Sequence, residues 1–221
     1  MLTMTEFAST LSAIEGVLSA EASSAEAVRR RNAAMAAYMA LTAAFRAGEA
    51  CGISREQSRV SAADPHWYIH DQISEKPRLA RRVVKRGSVG RVSMTAADAE
   101  VARAHMAWQE GYLGPRAADD RRLTLVTDHD GSWMRPSELS SEFAALRDRL
   151  GLDKSLTPHS LRHTHASYLI AEGEDILTIQ RRLRHADITT TLRIYGHLMP
   201  GSDMRAAEGF GRVMSRMRRT P

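Results

Sequence analysis

Helix-forming residues dominate both ends of the chain, and short, partly β-branched apolar runs punctuated by glycine occupy its middle. Thr3 or Thr5 is placed to cap a first helix running to about Leu18. Ser23 or Ser24 precedes the Ala- and Met-rich stretch AEAVRRRNAAMAAYMALTAAFRAGEA, which predicts a long second helix with Gly52 following its end. The segments WYIHDQI (67–73), ARRVVK (80–85) and GRVSM (90–94) predict three antiparallel strands, with Gly87 and Gly90 as turn residues.

Thr95 then caps a helix over TAADAEVARAHMAWQEGY. A polar loop covers about 113–121, LTLV is extended, and residues 136–150 form a further helix ended by Gly151. Four helical segments follow Thr157, at 158–173, 175–185, 187–198 and 202–217. The expectation is an α+β, mainly helical fold with a small three-stranded antiparallel sheet. No repeat, low-complexity tract or linker divides the chain, so residues 1–221 read as a single domain.

A length of 221 residues, with 43% hydrophobic and 26% charged positions, is enough for a well-buried core. The single cysteine, Cys51, leaves no intrachain disulfide framework and no thiolate metal cluster. The first twenty residues include Glu6 and Glu15 and lack a basic leader, unlike a signal peptide. No apolar run approaches the roughly 18 residues of a membrane span. The expected setting is cytoplasmic, without a membrane partner.

Charge adds direction. The net charge is +5, and residues 154–221 hold all of it, with eleven basic against six acidic side chains. A second basic run, from Lys76 to Arg91, has seven cations and no acid. Two positive patches on a nearly neutral body suit a polyanion.

The densest chemistry lies between Leu156 and Leu198. His159 and Arg162 share a helix face at i and i+3, His185 comes from the next helix, and Tyr195 follows ten residues later. Guanidinium grips phosphate oxygens bidentately, imidazole moves protons near neutral pH, and a phenol becomes a nucleophile where its anion is favoured.

The stretch LTPHSLRHTHASYLIAEGEDILTIQRRLRHADITTTLRIYGHL resembles the C-terminal signature of the phage integrase family of tyrosine recombinases. Its His-x-x-Arg box corresponds to His159–Arg162, its Leu-Gly-His box to Leu183-Arg184-His185, and its nucleophilic tyrosine to Tyr195. Arg184 stands where the family has glycine. An earlier arginine box matches Arg46 and Glu49 in AAFRAGE, and the family's hairpin lysine matches Lys85, with Arg86 as the alternative register.

The resemblance, which covers roughly residues 5–217, implies a site-specific DNA recombinase or integrase catalytic domain. Arg46 and Arg162 would clamp the scissile phosphate, Tyr195 would form a 3′-phosphotyrosine, and Lys85 would protonate the departing 5′ oxygen. His159 would assist proton transfer from the tyrosine and His185 would hydrogen-bond the phosphate. Arg81, Arg82, Arg86, Arg91, Arg181 and Arg184 are the expected DNA contacts. His163 and His165 read as local packing or polar contacts.

Double-stranded DNA is the implied partner, a homotetramer on DNA the implied assembly, and the nucleoid of a prokaryote the implied location. No cofactor and no metal are expected. The expectation from the resemblance is a catalytic domain alone, either a fragment or a short form, without the family's separate N-terminal DNA-binding domain. Two other readings stay open: a catalytically impaired fragment that only binds DNA, and a type IB topoisomerase-like enzyme. A metal hydrolase using the histidines is a remote third.

Overall fold

The computed structural model describes residues 2–76, 78–85, 87–114, 117, 119–196 and 202–218. Helix α1 (Met4–Ser19) starts at a capping box in which the Thr3 hydroxyl accepts from the Glu6 N–H and the Glu6 carboxylate accepts from the Thr3 N–H. Helix α2 (Ala25–Ala43) is capped by Ser24 and is buried along most of its length, from Val28 to Ala43. Its alanines explain this: small side chains on every face let neighbouring helices approach from several sides, and α2 forms the axis of the core.

The expected single helix over 25–50 is broken. Ala44 adopts the left-handed conformation (φ 55°), and α3 (Ala47–Gly52) begins only after Arg46. What the break achieves is visible in Phe45, which turns into the core edge-to-face against Trp67 with ring centroids 5.6 Å apart. A left-handed alanine costs about 1–2 kcal/mol, which burial of a phenylalanine offsets. The break also leaves Arg46 in the corner between two helices.

Two small antiparallel sheets follow, rather than one. β1 (Ser58–Arg59), β2 (His66–Ile69) and β5 (Gly90–Ser93) form one, in the order β1-β2-β5, while β3 (Asp71–Ser74) and β4 (Ala80–Val83) form the other. The run expected as one strand over 67–73 therefore divides at His70. The register pairs Trp67 with Val92 and Ile73 with Arg81, so Trp67, Val92 and Ile73 point into the core. β3 lies against α3 so closely that a Cβ on Gly52 would stand 2.5 Å from the Cα of Gln72. Only glycine fits there.

Helix α4 (Ala96–Leu113) opens at the expected Thr95, in a capping box with Asp98, whose carboxylate also accepts from the Tyr38 hydroxyl at 3.0 Å. The LTLV segment contributes Leu125 and Val126 to the core, and its Thr124 bridges to Ser54. Helix α5 (Pro136–Arg149) starts with proline in its first turn.

The C-terminal third is α6 (Pro158–Ala171), capped by Thr157, then α7 (Ile176–Leu183), capped by Asp175, and α8 (Ile188–Tyr195), capped by Asp187. Ala44, Ala166, Ile170, Ile179, Leu183 and Tyr195 form a second small core beneath this part. Helix α9 (Ser202–Met217) leaves Met204, Phe210, Val213 and Met217 exposed. No helix among the described residues is long and apolar enough to cross a membrane.

Candidate active site

The corner at Ala44–Arg46, the first two turns of α6 and the ends of α7 and α8 converge on one cluster. Glu49, on α3, is its anionic centre. Its carboxylate accepts from Arg46 Nη1 at 2.5 Å and from Arg184 Nη2 at 2.6 Å, with Arg162 Nη1 at 4.0 Å. Burial would raise the Glu49 carboxyl, but Arg184, Arg46 and Arg162 together hold it below its usual range. Three guanidiniums and one carboxylate leave this cluster with a charge of about +2.

Arg162 is buried, and its two terminal nitrogens donate to the carbonyl oxygens of Ala44 and Leu183. Those carbonyls are available because each belongs to a chain reversal: Ala44 is left-handed itself, and Leu183 precedes left-handed Arg184 (φ 53°). Arg184 is only 3% exposed. Its guanidinium bonds Glu49, the Ala44 carbonyl at 3.0 Å and the Arg182 carbonyl at 2.9 Å, and stands 5.5 Å above the Phe45 ring. The expectation that Arg184 contacts DNA gives way: its cation is turned inward and committed to Glu49. Its backbone also serves the site, since its carbonyl accepts from Ser88 Oγ at 3.2 Å and Arg46 Nη2 at 3.4 Å.

Tyr195 closes α8 and is 3% exposed. Its hydroxyl meets His163 Nδ1 at 2.5 Å, and His163 Nε2 in turn meets His159 Nε2 at 2.8 Å. Burial pushes the Tyr195 phenol up to about 12, with Arg162 pulling the other way. His185 is held by Thr191 Oγ1 at 2.9 Å from its Nδ1. Burial, followed by the field of Arg162 and Arg46, lowers His185 to about 4, so it is neutral at physiological pH. His165 lies on another face of α6, with Nδ1 against the Leu41 carbonyl and Nε2 accepting from Arg182.

Lys85 is exposed in the turn between β4 and β5, where its carbonyl accepts from the Ser88 N–H at 2.8 Å. Gly87 (φ 84°) presses against Ala186, so this turn rests on the segment that carries His185. Arg86 lies outside the described residues. Of the other expected DNA contacts, Arg82 and Arg181 are exposed, and Arg91 is exposed but paired with Asp64. Arg81 is half-buried and tied to Asp71 at 3.0 Å and to Gln57 and the Arg122 carbonyl, a structural role rather than a free cation.

The site thus brings Arg46, Arg162, His159, His185 and Tyr195 into one electrostatic environment. Sequence reasoning read His163 only as a local packing or polar contact, although its position four residues after His159 on the same helix face was the available signal for a place in the site. It also gave Arg184 an outward role. The one metal-sized group of ligand atoms among the described residues, Asp128, His129 and Asp130, lies elsewhere, and Asp128 there is bonded by Arg29 at 2.6 Å.

An interior arginine cluster beside a buried tyrosine, carried on helices with two small sheets, defines the class of the fold and of its site. Residues 10–201 match the profile of the phage integrase family, and the chain belongs to that family. It is 35% identical over 116 residues to tyrosine recombinase XerC of Rhizobium meliloti (strain 1021), covering 52% of this chain and 35% of that protein. It is 31% identical over 138 residues to tyrosine recombinase XerD of Corynebacterium glutamicum, covering 60% of this chain and 42% of that protein. The chain thus matches less than half the length of these curated relatives.

Its fold is similar to the integrase of transposon Tn1549, solved in complex with a circular intermediate DNA (TM-score 0.71, 20% identity, 98% of this chain and 65% of that one). It is also similar to XerH recombinase bound to difH substrate (TM-score 0.63, 20% identity, 93% and 52%).

Proposed function

We propose that this chain is the catalytic domain of a site-specific recombinase or integrase that cleaves and rejoins duplex DNA through Tyr195. The observation that carries the reading is the Tyr195 hydroxyl, hydrogen-bonded to an imidazole and set beside a buried, net-positive arginine cluster. Such a cluster stabilises the charge that develops on phosphate oxygens as phosphorus becomes five-coordinate.

In the proposed reaction Arg46 and Arg162 face the non-bridging oxygens and His185 donates to one of them. Tyr195 attacks in line, leaving a 3′-phosphotyrosine, and Lys85 protonates the 5′ oxygen. A 5′-hydroxyl of the partner duplex then reverses the step. The tyrosyl ester keeps the phosphodiester energy, so no ATP is consumed. Lys85, Arg82, Arg86, Arg91 and Arg181 are the proposed backbone contacts. Their binding should weaken steeply with salt as counterions are released.

The exposed apolar face of α9 supports docking on a neighbouring protomer in a tetramer on DNA, as relatives of this family are expected to assemble. A chain truncated at residue 200 that still assembles on DNA would remove that part of the proposal.

Covalent trapping tests the function. Wild type and Tyr195→Phe are mixed with nicked suicide duplexes tiled across the DNA flanking the gene and run on denaturing gels. The expected result is a shifted band that requires Tyr195 and persists in EDTA. Binding on native gels without any covalent band would favour the DNA-binding-only reading, which the commitment of both Arg162 terminal nitrogens to backbone carbonyls also supports.

A further inference from the structure

The sequence motif leaves open which group receives the phenolic proton, and the geometry around Tyr195 is specific on this point. Among the described residues, the side chain hydrogen-bonded to the Tyr195 hydroxyl is His163, at 2.5 Å through Nδ1. His159, the histidine of the His-x-x-Arg box, meets His163 instead, Nε2 to Nε2 at 2.8 Å, with the two rings nearly perpendicular and their centroids 4.3 Å apart. His185 is turned to Thr191.

The three groups therefore form a chain, and hydrogen-bond valence orders it. The phenol O–H donates only if His163 Nδ1 is bare. The neutral ring then carries its proton on Nε2 and donates to a bare His159 Nε2.

We infer that His163 is a catalytic residue: its Nδ1 takes the phenolic proton of Tyr195 as the oxygen bonds to phosphorus, and its Nε2 hands a proton to His159. This rests on the proposed recombinase reading and deepens it. The Oη–P bond forms as the P–O5′ bond breaks. The phenolic proton passes to His163 Nδ1, the Nε2 proton of His163 passes to His159 Nε2, and the electron pair of the broken bond leaves on the 5′ oxygen, which Lys85 protonates. In the rejoining step every transfer runs backwards, so His163 returns the proton to the departing phenolate.

The charges that face His163 suit an acceptor. His159 and Arg162 lie beside it on α6, Tyr195 faces it from α8, and His185 interacts with it from the turn between α7 and α8. Burial, then His159, then Arg162 lower its basicity, so the ring is neutral and ready at physiological pH. His159 is exposed, so a proton delivered there reaches solvent. A phenol held at about 12 has almost no anion at pH 7.5, so attack needs a base in contact with it.

The test uses the full chain. Adduct formation on a nicked duplex is followed against pH for wild type, His163→Ala and His159→Ala, with ordinary oxygen or with sulfur at the bridging 5′ position. Sulfur leaves without protonation and so isolates nucleophile activation. His163→Ala should be slowed about 10²–10⁴-fold at pH 7.5, should gain about tenfold per pH unit above it, and should not be rescued by sulfur. His159→Ala should be less impaired. A His163→Ala chain with the wild-type rate and pH profile, or one rescued by sulfur, overturns the inference.

Nitrogen NMR of His163 in wild type and Tyr195→Phe supplies a reading that needs no cleavage. A bare Nδ1 whose resonance moves on Tyr195→Phe is expected. An Nδ1 that carries a proton at neutral pH and ignores Tyr195→Phe overturns the inference even if wild type cuts no duplex. A coupled Nδ1 in a chain that forms no adduct supports the proton path and refutes the function instead.

Discussion

Glu49 is the position where charge bookkeeping makes the sharpest demand on stability. Among the described residues its carboxylate is the only anion shared by Arg46, Arg162 and Arg184, of which the last two are buried. Glu49→Gln keeps shape and one acceptor but raises the cluster from about +2 to about +3 with nothing to compensate the buried cations. Removing one member of a buried ion pair costs about 3–5 kcal/mol, a large part of a typical stability of about 5–15 kcal/mol.

Arg184→Gly acts on the same pair from the other side. It loses the charge-assisted bond to Glu49, about 1.5–3 kcal/mol, and the bonds to the Ala44 and Arg182 carbonyls, but removes a left-handed side chain costing about 1–2 kcal/mol and relieves repulsion with Arg46 and Arg162. Glu49 keeps Arg46 and so stays paired, and Arg184→Gly should cost less than Glu49→Gln. Urea unfolding of both variants and of the double variant measures the difference. The pH arm has a defined sign: Glu49 is depressed from 4.5, so its contribution is complete above that value and is lost as pH falls through its folded value. Equal costs for the two variants, or a Glu49→Gln cost under about 1 kcal/mol, would refute the ledger.

Three further outcomes follow from separate parts of the molecule. His105 is buried and His165 half-buried, and both are lowered from 6.5 to about 4, chiefly by loss of solvation, so the unfolded chain binds more protons between those values. Stability should therefore fall as pH drops from 6.5 toward 4, by up to about 1.4 kcal/mol per pH unit for each histidine. His105→Asn should shallow that slope in acid-titrated urea melts. Gly52→Ala should cost more than about 2 kcal/mol in thermal or urea unfolding, because its Cβ meets backbone atoms of Gln72 at 2.5 and 2.8 Å that cannot rotate away. Gly87→Ala combines a positive φ with a Cβ 2.9 Å from Ala186, so it should shift the Lys85 turn. Covalent trapping should slow there by more than the loss of stability, about 1–2 kcal/mol, accounts for.

What was legible in the sequence was local. The His159–Arg162 spacing lies on one helix face, Thr3 and Ser24 are each one of the two candidates the sequence offers as caps, Thr95 is the expected cap of its helix, and short-range bonds set all three in the structure. The pairings that complete the site are distant. Glu49 and Arg184 are 135 residues apart, and His163 and Tyr195 are 32 apart, so no helical periodicity connects them. The breaks were hidden for a related reason: Ala44 and Arg184 are left-handed without being glycine, and tertiary gains, namely Phe45 on Trp67 and Arg184 on Glu49, hold them there. Strand pairing failed at His70 because β-branched content marks extended chain without saying which partner it finds.

These distant pairings also explain why a glycine-to-arginine departure from the family pattern does not dismantle the cluster. A long cation placed at 184 meets a carboxylate already buried there, and the left-handed turn that glycine would have permitted is retained under the Glu49 bond. The consequence is electrostatic. A phosphodiester brings one negative charge, and its five-coordinate state carries about two. With three guanidiniums against one carboxylate, the cluster's charge of about +2 is balanced by the second of these rather than the first. Binding energy that is realised only as charge develops is the kind that raises rate. On the proposed reaction, Arg184 therefore shifts the match from the bound substrate toward the transition state without touching DNA, while Glu49 keeps the arginines close enough to act as one group.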